Sequence, residues 1–550
     1  MEAQVFDVVV IGSGAAALTA AVTAADAGKK VLVAESTELF GGSTAMSGGG
    51  AWIPNNHLMK AGGTPDSFED ARTYMDRVIA DVGPASSKER RDAFVRSGPE
   101  MVRFLEACGF EWIYGVGYAD YHPEEPGGSV RGRGIEGKMF NFKTLDPELR
   151  KQIRPGVPIP MYTFEVGTFM RAFRSMKGLG KAAQIIGLRA LGGRVAGKHW
   201  YTNGQSMIGQ LLHLASKRGV TLWTQSALID LVTEDGDVTG AVLDRAGVQT
   251  TVMATNGVII GAGGFAHNQE MREKYLPQPT NEQWSSANPG DQGLPIKVAM
   301  EAGASIAIME EAWWGPSSFD PATGKPSFLV SERSFPHSMI VDQAGKRFMN
   351  ESASYVDCVH WQYAHNESVP AVPAWMIMES RHRNSYPFGF AMPRQTPKKM
   401  FESGFFYKGD TLEELARKIG VDAQGLVAEA AKFSGYAATG KDLDFGRGDS
   451  AYDHVYGDPR VKPNPNLGAI ERGPFYATRI YPGDLGTKGG ILTDEHSRAL
   501  REDGTVIKGL YAAGNSSASV MGNRYPGPGS TIGPAMTFGY IAARHAVGVN

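Results

Sequence analysis

Val8-Val9-Val10-Ile11-Gly12-Ser13-Gly14-Ala15-Ala16-Ala17 is the most informative run of residues in this chain. Its apolar, β-branched start is typical of a buried strand, and the alanines after the glycines predict a helix. Gly12 permits a tight turn, Gly14 lets the backbone approach a pyrophosphate, and Ala17 allows close packing of helix on strand. The helix N-terminus adds free N–H groups and the positive end of its dipole. The run therefore predicts a dinucleotide site that includes Gly12, Ser13, Gly14, Ala15 and Ala16.

An acidic residue follows at the distance that such a site requires. Val31-Leu32-Val33-Ala34 predicts a second strand, and Glu35 comes directly after it. A carboxylate at this position suits a ribose hydroxyl of the dinucleotide. We therefore expect Glu35 and its neighbour Ser36 at the cofactor.

A second cluster of glycine and serine, residues 41–50, indicates which dinucleotide is bound. It arrives before the first βαβ unit of a nicotinamide enzyme could be complete, and so it points to a flavin. The cluster resembles the flavoprotein superfamily of fumarate reductases and 3-ketosteroid dehydrogenases, in which this loop lies along FAD. Relatives that tether FAD through histidine carry it in this loop, where this chain has Ser43 and Thr44, so noncovalent FAD is implied. The implied FAD contacts are Gly41, Gly42, Ser43, Ser47, Gly48 and Gly49.

Two later segments, residues 258–265 and 509–515, repeat the pattern of a buried strand that ends in glycine. Both resemble later FAD loops of the same superfamily. The FAD contacts that the resemblance implies in and around these segments are Ala227, Ala262, Gly263, Gly264, Asn268, Gly514, Asn515, Thr531 and Ile532.

FAD motifs near both ends of the chain indicate a domain built from the two terminal regions. At 550 residues the chain also exceeds one ordinary domain. We predict an α/β fold with a Rossmann-like FAD-binding domain of residues 1–284 and 486–550. An inserted α+β catalytic (capping) domain of residues 285–485 interrupts it, and residues 132–198 resemble an insertion relative to shorter steroid enzymes.

Composition argues against several classes of protein. Net charge is −3 and the pI about 6.5, which leaves no basic footprint for nucleic acid. The two cysteines, Cys108 and Cys358, are too few for a disulfide scaffold and indicate a reducing compartment. The first strand begins by Val5, so we expect no signal peptide, and no apolar run has the length of a membrane span. A cytoplasmic protein is expected.

Periodicity places the main regular elements. Helices are predicted at residues 67–82, 87–108, 205–217 and 411–433, the last capped by Asp410 or Thr411. Alternating β-branched runs predict a meander of residues 221–224, 227–233, 238–243 and 248–252, with a turn at 234–237. Two prolines predict a loop at residues 460–468.

Residues 154–198 depart from the acidic balance of the chain. Eight basic residues accompany a single acid, Glu165, and alternate with apolar side chains. Basic amphipathic helices of this kind lie on anionic membrane surfaces. A solvated cationic face and an oligomer contact are the alternatives. Peripheral contact with the inner face of a membrane is thus one of three open hypotheses, and the oligomeric state stays open.

Residues 522–533, Gly-Asn-Arg-Tyr-Pro-Gly-Pro-Gly-Ser-Thr-Ile-Gly, follow the last FAD loop. Prolines fix φ and remove N–H donors, so the remaining donors point in set directions, as an oxyanion site requires. Tyr-Pro-Gly-Pro-Gly, with residues 485–490 before it, resembles the 3-ketosteroid Δ1-dehydrogenase family. In that family the tyrosine hydroxyl and the N–H of the last glycine bind the C3 carbonyl oxygen of the steroid. The resemblance therefore implies Tyr525 and Gly529 as catalytic residues.

The family pattern implies two further catalytic tyrosines. Residues 342–351 resemble the strand-to-helix motif of the superfamily, and Tyr355 follows where the dehydrogenases carry their base. Residues 118–123 resemble the Asp-Tyr segment that supports the base, which selects Tyr121 and leaves Tyr118 as the alternative. We predict no metal site, because Cys358 and His360 point to different faces of a helix.

The reaction that the resemblance implies is oxidation of the C1–C2 bond of a 3-oxosteroid. A proton leaves C2 toward Tyr355 and a hydride leaves C1 toward FAD, while Tyr525 and Gly529 stabilise the enolate. A free tyrosine has a pKa of about 10, so the base needs a partner that lowers this pKa or relays its proton, for which Tyr121 is the candidate. An external acceptor, a quinone or another oxidant, must take the electrons, because the chain has no haem or iron–sulfur motif.

Three other functions stay open. A fumarate-reductase-like enoate reductase shares the FAD domain and needs an arginine proton donor, with Arg333, Arg381 and Arg383 as candidates. A Δ4-(5α)-3-ketosteroid dehydrogenase differs only in the ring position that is oxidised. A flavin-containing sterol-binding protein would bind steroid without turnover. The aromatic candidates for the lining of a sterol pocket, or for ordinary core, are Trp313, Trp314, Phe319 and Phe328.

Overall fold

A computed structural model describes residues 4–79, 81–389 and 391–549 of the chain. The strands are β1 Gln4–Ile11, β2 Val31–Ala34, β3 Gly50–Trp52, β4 Trp112–Tyr114, β5 Gly134–Gly137, β6 Phe140–Asn141, β7 Trp200–Tyr201, β8 Thr221–Trp223, β9 Ser226–Glu234, β10 Asp237–Arg245, β11 Val248–Ile260, β12 Ile306–Ala307, β13 Ala312–Asp320, β14 Lys325–Phe328, β15 Ser338–Val341, β16 Ala374–Met378, β17 Tyr407–Gly409, β18 Phe475–Thr487, β19 Gly490–Ile491, β20 Arg498–Leu500 and β21 Val506–Ala512. The helices are α1 Ala15–Asp26, α2 Gly42–Met46, α3 His57–Ala61, α4 Phe68–Val78, α5 Lys88–Cys108, α6 Pro147–Lys151, α7 Val166–Met170, α8 Met176–Ala182, α9 Gly193–Val195, α10 Asn203–Lys217, α11 Gln269–Tyr275, α12 Leu294–Glu301, α13 Tyr355–Asn366, α14 Ser380–Ser385, α15 Lys398–Glu402, α16 Leu412–Ile419, α17 Ala423–Thr439, α18 Ala451–Val455 and α19 Ile532–Ala546.

The first sheet has the strand order β20-β21-β11-β1-β2-β8. The pairs among β21, β11, β1, β2 and β8 are all parallel, and β10 and β9 extend β11 as an antiparallel meander. Strand β1 lies in the middle, and its residues 8–11 are buried. A strand covered on both faces needs a continuous apolar run, which is why Val8–Ile11 does not alternate. The predicted α/β fold is confirmed.

The second sheet is antiparallel and has the order β14-β13-β18-β16-β15, with β17 also paired to β18. Helices α16 and α17 share one apolar core with β15, β16 and β18. This sheet draws on residues 312–487, whereas the first draws on residues 4–260 and 498–512. Strand β18 runs across the predicted domain boundary at 485/486, and the division of the chain into the two domains stays a prediction.

A small antiparallel sheet, β3-β5-β4, joins the second glycine cluster to residues 522–533. Strand β3 begins where the second glycine cluster ends, and the loop between β4 and β5 contains residues 118–123. Hydrogen bonds from Trp52 N–H to the Gly529 carbonyl (3.0 Å) and from Tyr121 N–H to the Pro526 carbonyl (2.9 Å) tie this sheet to the C-terminal loop.

Three of the predicted elements differ clearly from the structure in their bounds. The single helix expected at residues 411–433 is wrong, because Gly420 ends α16 with a left-handed φ of +76° and Asp422 caps a new helix, α17. Thr411, one of the two predicted caps, does accept from the Glu414 N–H. The last strand of the meander continues to Ile260, so residues 248–252 and 258–260 form one strand, β11. Helix α4 ends at Val78, before the predicted end at residue 82.

Residues 163–195 form a string of short helices, in which a π-helical segment, Ala183–Gly192, links α8 to α9. Four of the basic residues hold this segment to the rest of the chain. Arg174 pairs with Asp458, Lys181 and Arg189 pair with Glu165, and Arg171 donates to the Gly457 carbonyl. Large apolar side chains face outward, namely Phe173, Met176, Leu179, Ile186, Leu188, Leu191 and Val195. Among the described helices, we find none with the length and apolar character to cross a membrane.

Candidate active site

The N-terminal glycine turn has the geometry of a dinucleotide cradle. Gly12 has a φ of +97°, and a Cβ there would lie 2.6 Å from the Ala262 Cα, so only glycine fits. Gly14 precedes α1 without a side-chain cap, which leaves the positive helix end available to an anion. A Cβ on Gly14 would meet nothing closer than the Thr44 Oγ1 at 3.6 Å. The residues present therefore fit a pyrophosphate at this turn.

Glu35 lies where a ribose is expected, and its carboxylate is buried. It accepts from the Ser13 hydroxyl (2.6 Å), the Thr37 N–H (2.9 Å) and the Thr37 hydroxyl (2.8 Å), and Ser36 approaches to 3.4 Å. Two carboxylate oxygens offer about four acceptor positions. Among the described residues, Oε2 accepts only from Ser13, so it retains acceptor capacity for a ribose hydroxyl.

The second glycine cluster packs as closely as the first. Gly41 and Gly42 have φ values of +113° and +49°. A Cβ on Gly48 would lie 2.7 Å from the Thr163 Oγ1, and one on Gly49 would collide with the Asn203 backbone. Ser47 donates to the Thr44 carbonyl and accepts from the Gly49 N–H.

Sequence reasoning missed Asp291, which lies against these loops. Its carboxylate accepts from the Ser43 hydroxyl at 3.0 Å, and a Cβ on Gly263 would lie 2.5 Å from its Oδ1. Burial raises the pKa of Asp291 to about 7. The only local signal is an acid inside the loop Pro289–Gln292, which ends at Gly293 with a φ of +73°. Such a signal does not distinguish a ligand contact from a turn.

The later glycine loops, residues 258–265 and 509–515, form the rest of the groove that the first two glycine clusters line. Ser516 accepts from the Ala262 N–H (3.0 Å) and donates to the Gly263 carbonyl (2.8 Å). Gly264 packs against Thr487, and Ile532 begins α19, which has no side-chain cap. One cavity is lined by Trp313, Gly514, Asn515 and Thr531 among others.

Two predicted contacts lie at the edge of this groove. Ala227 follows Ser226, whose N–H donates to the Glu35 carbonyl at 2.8 Å. The side chain of Asn268 caps α11 and donates to the Gln292 carbonyl. Its polar atoms therefore already have partners within the protein. A second cavity next to Glu35 is lined by Thr37, Glu38, Leu39, Arg154, Asn288, Pro289 and Gly290.

The three candidate tyrosines meet although they come from distant parts of the chain. Tyr121 lies in the β4–β5 loop, Tyr355 begins α13, and Tyr525 precedes α19. Their ring centroids are 4.9 to 5.3 Å apart, and each side chain is buried. The Tyr121 hydroxyl donates to the Tyr355 hydroxyl at 3.3 Å. The structure thus brings all three phenols into one cluster.

The alternative partner of Tyr355 points elsewhere. The Tyr118 hydroxyl pairs with that of Tyr456 at 2.6 Å. This geometry favours Tyr121 over Tyr118 as the partner of Tyr355. Tyr452, whose ring centroid is 4.3 Å from that of Tyr121, and Tyr456 are members of the cluster that sequence reasoning missed, because no local motif marks them.

Two of the four aromatic pocket candidates contact this cluster. The ring centroid of Trp313 is 5.3 Å from that of Tyr525, and the ring centroid of Phe328 is 5.2 Å from that of Tyr355. Trp314 instead packs on Tyr363.

Gly529 closes the loop after Tyr525. Its φ is +97°, and a Cβ there would collide with the Gly50 carbonyl. Burial raises the pKa of Tyr525, while the neighbouring Thr531, Tyr355 and Gly529 backbone lower it. The phenol of Tyr525 and the backbone of Gly529 therefore lie close together.

Burial also sets the protonation of the other phenols. It raises the pKa of Tyr121 and of Tyr355 well above the ordinary value of 10, and the hydrogen bond from Tyr121 lowers that of Tyr355 only in part. All three hydroxyls are therefore protonated near neutral pH. Tyr525 is a hydrogen-bond donor in this state, whereas Tyr355 must lose its proton before it can act as a base.

The arginines considered for an enoate reductase are engaged in structural contacts. Arg333 donates to the carbonyls of Leu329, Glu351 and Ala353. Arg381 pairs with Glu379, and Arg383 donates to backbone carbonyls of its own neighbourhood.

Comparisons with known proteins agree with this geometry. A family model described as "FAD binding domain" matches residues 7–532. The 3-oxosteroid 1-dehydrogenase of Mycolicibacterium smegmatis is 44% identical over 559 residues, which covers 99% of this chain and 97% of that protein. The 4-oxocyclohexanecarboxylate 2-dehydrogenase of Sinomonas cyclohexanicum is 36% identical over 563 residues, with coverage of 99% and 93%.

A solved structure matches over the whole chain. The 3-ketosteroid Δ1-dehydrogenase of Sterolibacterium denitrificans, crystallised with 1,4-androstadiene-3,17-dione, superposes with a TM-score of 0.94 at 38% identity and covers 100% of both chains. The cofactor is therefore FAD. The chain belongs to the 3-oxosteroid 1-dehydrogenase family of fumarate-reductase-like, FAD-binding flavoproteins.

Proposed function

We propose that this chain catalyses the FAD-dependent 1,2-dehydrogenation of a 3-oxosteroid. The observation that carries the proposal is the convergence of Tyr525, Gly529 and Tyr355 beside a cavity lined by residues of the FAD loops. Two donors for a carbonyl oxygen and a phenol that can become a base are the groups that oxidation beside a ketone requires.

The carbonyl donors act first. The Tyr525 hydroxyl and the Gly529 N–H donate to O3 of the steroid, and they gain strength as negative charge develops on that oxygen. This stabilises the enolate that forms when C2 loses its proton. FAD, when bound, would supply the acceptor for the hydride that leaves C1.

Tyr355 holds the proton that leaves C2. Its pKa is raised by burial, so the phenolate is a minor form near neutral pH, but a strongly basic one. Tyr121 donates to the Tyr355 oxygen and so stabilises the phenolate. The rate is therefore expected to rise with pH.

Anaerobic mixing of the holoenzyme with 4-androstene-3,17-dione tests this function. We expect the visible absorption of oxidised FAD to bleach and the 1,4-diene product to form, because C2 of this steroid lies next to its ketone. A matched steroid with a 3-hydroxyl in place of the ketone should not bleach the enzyme, since it offers no carbonyl to Tyr525.

Each other outcome identifies a different function. A spectral shift without bleaching would indicate sterol binding alone, and bleaching only by saturated 5α-steroids would indicate Δ4 oxidation. Reoxidation of the chemically reduced enzyme by fumarate would indicate an enoate reductase. Bleaching by 4-oxocyclohexanecarboxylate, with no reaction of any steroid, would indicate that the substrate is a single-ring ketone.

We also propose that the exposed helical run, residues 176–195, holds the protein at an anionic membrane surface. Its outward side chains include Met176, Leu188 and Val195, with exposed fractions of 82%, 73% and 91%. Exposed cations at Lys177, Arg194 and Lys198 accompany them. A solvated cationic face would not expose so much apolar surface, whereas a helix in the lipid interface does. A quinone dissolved in that membrane is the class of electron acceptor that we propose.

Vesicle sedimentation tests the membrane proposal. We expect the protein to sediment with phosphatidylglycerol-rich vesicles, and the double variant Leu188→Glu, Val195→Glu to stay in the supernatant. Each apolar side chain contributes about 1.5 to 3 kcal/mol of burial, so affinity should fall by about tenfold or more per substitution. Leu443→Glu, at an exposed leucine outside this run, is the matched control. Absence of sedimentation, together with a dimer that the double variant dissociates, would instead make this run an oligomer contact.

A further inference from the structure

Lys488 is a fully buried lysine that the reaction above does not use. It directly follows the last residue of β18, in the segment Gly486-Thr487-Lys488-Gly489-Gly490. Its N–H donates to the Glu311 carbonyl, and its own carbonyl accepts from Ser519. A Cβ on Gly489 would collide with Met309, so the backbone is closely held on both sides. A buried lysine needs a compensating interaction, because desolvation of an ammonium group is unfavourable.

The ammonium group of Lys488 contacts two groups, and both of them adjoin Tyr525. Nζ donates to the Arg524 carbonyl at 2.9 Å, which belongs to the peptide that leads into Tyr525. Nζ also lies 4.7 Å from the centroid of the Trp313 ring. Trp313 packs edge-on against the Tyr525 ring and donates to Asn515 in the last glycine loop. Lys488 is therefore connected to Tyr525 in two ways, through the peptide between Arg524 and Tyr525 and through the Trp313 ring.

The described part of the chain provides no direct counter-ion for the charge of Lys488. Within the described residues, no carboxylate oxygen lies within 4.0 Å of its Nζ, and the nearby acids have other partners. Glu311 pairs with His360 at 3.0 Å, whereas Asp357 pairs with Arg524 at 2.8 Å and approaches His122 to 3.4 Å. The charge is thus directed at the Arg524 carbonyl and the Trp313 ring.

We propose that Lys488 is a positioning residue whose ammonium group, through the Arg524 carbonyl and the Trp313 ring, holds Tyr525 as the donor to the substrate carbonyl. The inference rests on the proposed function. Both contacts strengthen with charge, because charge-assisted hydrogen bonds and cation–π contacts need a cation. Burial lowers the pKa of Lys488 to about 8, so the contacts weaken above that pH. Glu311 and Asp357 oppose this shift and Arg524 adds to it.

Lys488→Met tests the inference, because methionine has a similar length and neither donor nor charge. At pH 7 we expect kcat to fall by about tenfold to a hundredfold, the effect of losing one charge-assisted hydrogen bond, with KM and FAD content little changed. The deficit should shrink above about pH 9, where the wild-type lysine is itself neutral. Combined with Tyr525→Phe, the substitution should have no further effect, since the hydroxyl that it positions is already absent. Lys508→Met, at an exposed lysine, is the matched control.

Three results would overturn the inference. A loss of kcat in Lys488→Met that is the same at every pH would indicate a packing role. An unchanged kcat would show that Lys488 does not position Tyr525. If Lys488→Met does not retain FAD, the wild-type profile decides: kcat must rise less steeply above about pH 8 than below it, and a constant slope contradicts the inference. Failure of the proposed function is recognised separately, because wild-type enzyme would then not bleach with any steroid.

Discussion

Replacing Tyr525 by phenylalanine is expected to lower kcat for steroid oxidation by about 10² to 10³, with FAD still bound. The substitution removes one of two donors to the substrate carbonyl, which corresponds to about 2.7 to 4 kcal/mol of activation barrier. The ring contacts with Trp313 and Tyr355 do not involve the hydroxyl and should persist. Steady-state rates with 4-androstene-3,17-dione, together with flavin content, measure the effect.

Tyr540→Phe provides the matched control for this substitution. Tyr540 is a buried residue of α19, outside the phenol cluster, and its hydroxyl accepts from Arg544 at 2.6 Å. Removal of that hydroxyl should leave kcat unchanged. If Tyr525→Phe turns over steroid as fast as the wild type, Tyr525 has no part in the mechanism.

Replacing Tyr355 by phenylalanine is expected to lower kcat by about 10² to 10⁴, the range for removal of a general base. Anaerobic stopped-flow measurement of FAD bleaching isolates the step that should slow. Steroid binding, followed by the perturbation of the flavin spectrum, should change little because the ring is retained. Bleaching at the wild-type rate would assign the base to another group.

The pH profile distinguishes a base from a packing role for Tyr355. Burial raises its pKa well above 10, so its phenolate fraction grows as pH rises and never saturates in the accessible range. Wild-type kcat should therefore increase from about pH 6 to about pH 10. The residual rate of Tyr355→Phe should lack this increase. A flat wild-type profile would contradict the role of Tyr355 as a phenolic base.

Burial of the phenol cluster serves two opposite requirements. A donor to an oxyanion must keep its proton, and burial keeps Tyr525 protonated by raising its pKa. A base must lose its proton, and the same burial makes the phenolate of Tyr355 scarce but strongly basic. Hydrogen bonds oppose the effect of burial at both phenols. Tyr121 lowers the pKa of Tyr355, and Thr531, Tyr355 and the backbone of Gly529 lower that of Tyr525. Burial therefore decides the protonation of both residues.

The cofactor fold was predictable because its causes are local. The run Val8–Ala17 contains the strand, the turn and the helix start in consecutive residues, and the φ of Gly12 follows from the turn itself. The continuous apolar strand predicts a parallel sheet covered on both faces. Asp291 escaped prediction because its link to Ser43 joins residues far apart in the chain.

The basic segment shows a different limit of sequence reasoning. Composition identified residues 154–198 as basic and amphipathic, but the same residue types serve two purposes there. Arg174, Lys181 and Arg189 form ion pairs that fold the segment, while Lys177 and Arg194 stay exposed beside the apolar side chains. Only the folded chain distinguishes these two sets, because packing brings Asp458 and Glu165 next to the first set.

By itself, the sequence determined that this chain folds around a flavin dinucleotide and carries a rigid tyrosine and glycine loop after it. Both features depend on backbone torsions of neighbouring residues, which local composition dictates. Tertiary structure alone decided that Tyr121, and not Tyr118, meets Tyr355, and that Lys488 stands behind Tyr525. Hydrogen bonds and pKa values depend on distance and burial in three dimensions, and neither quantity is encoded in the spacing of residues along the chain.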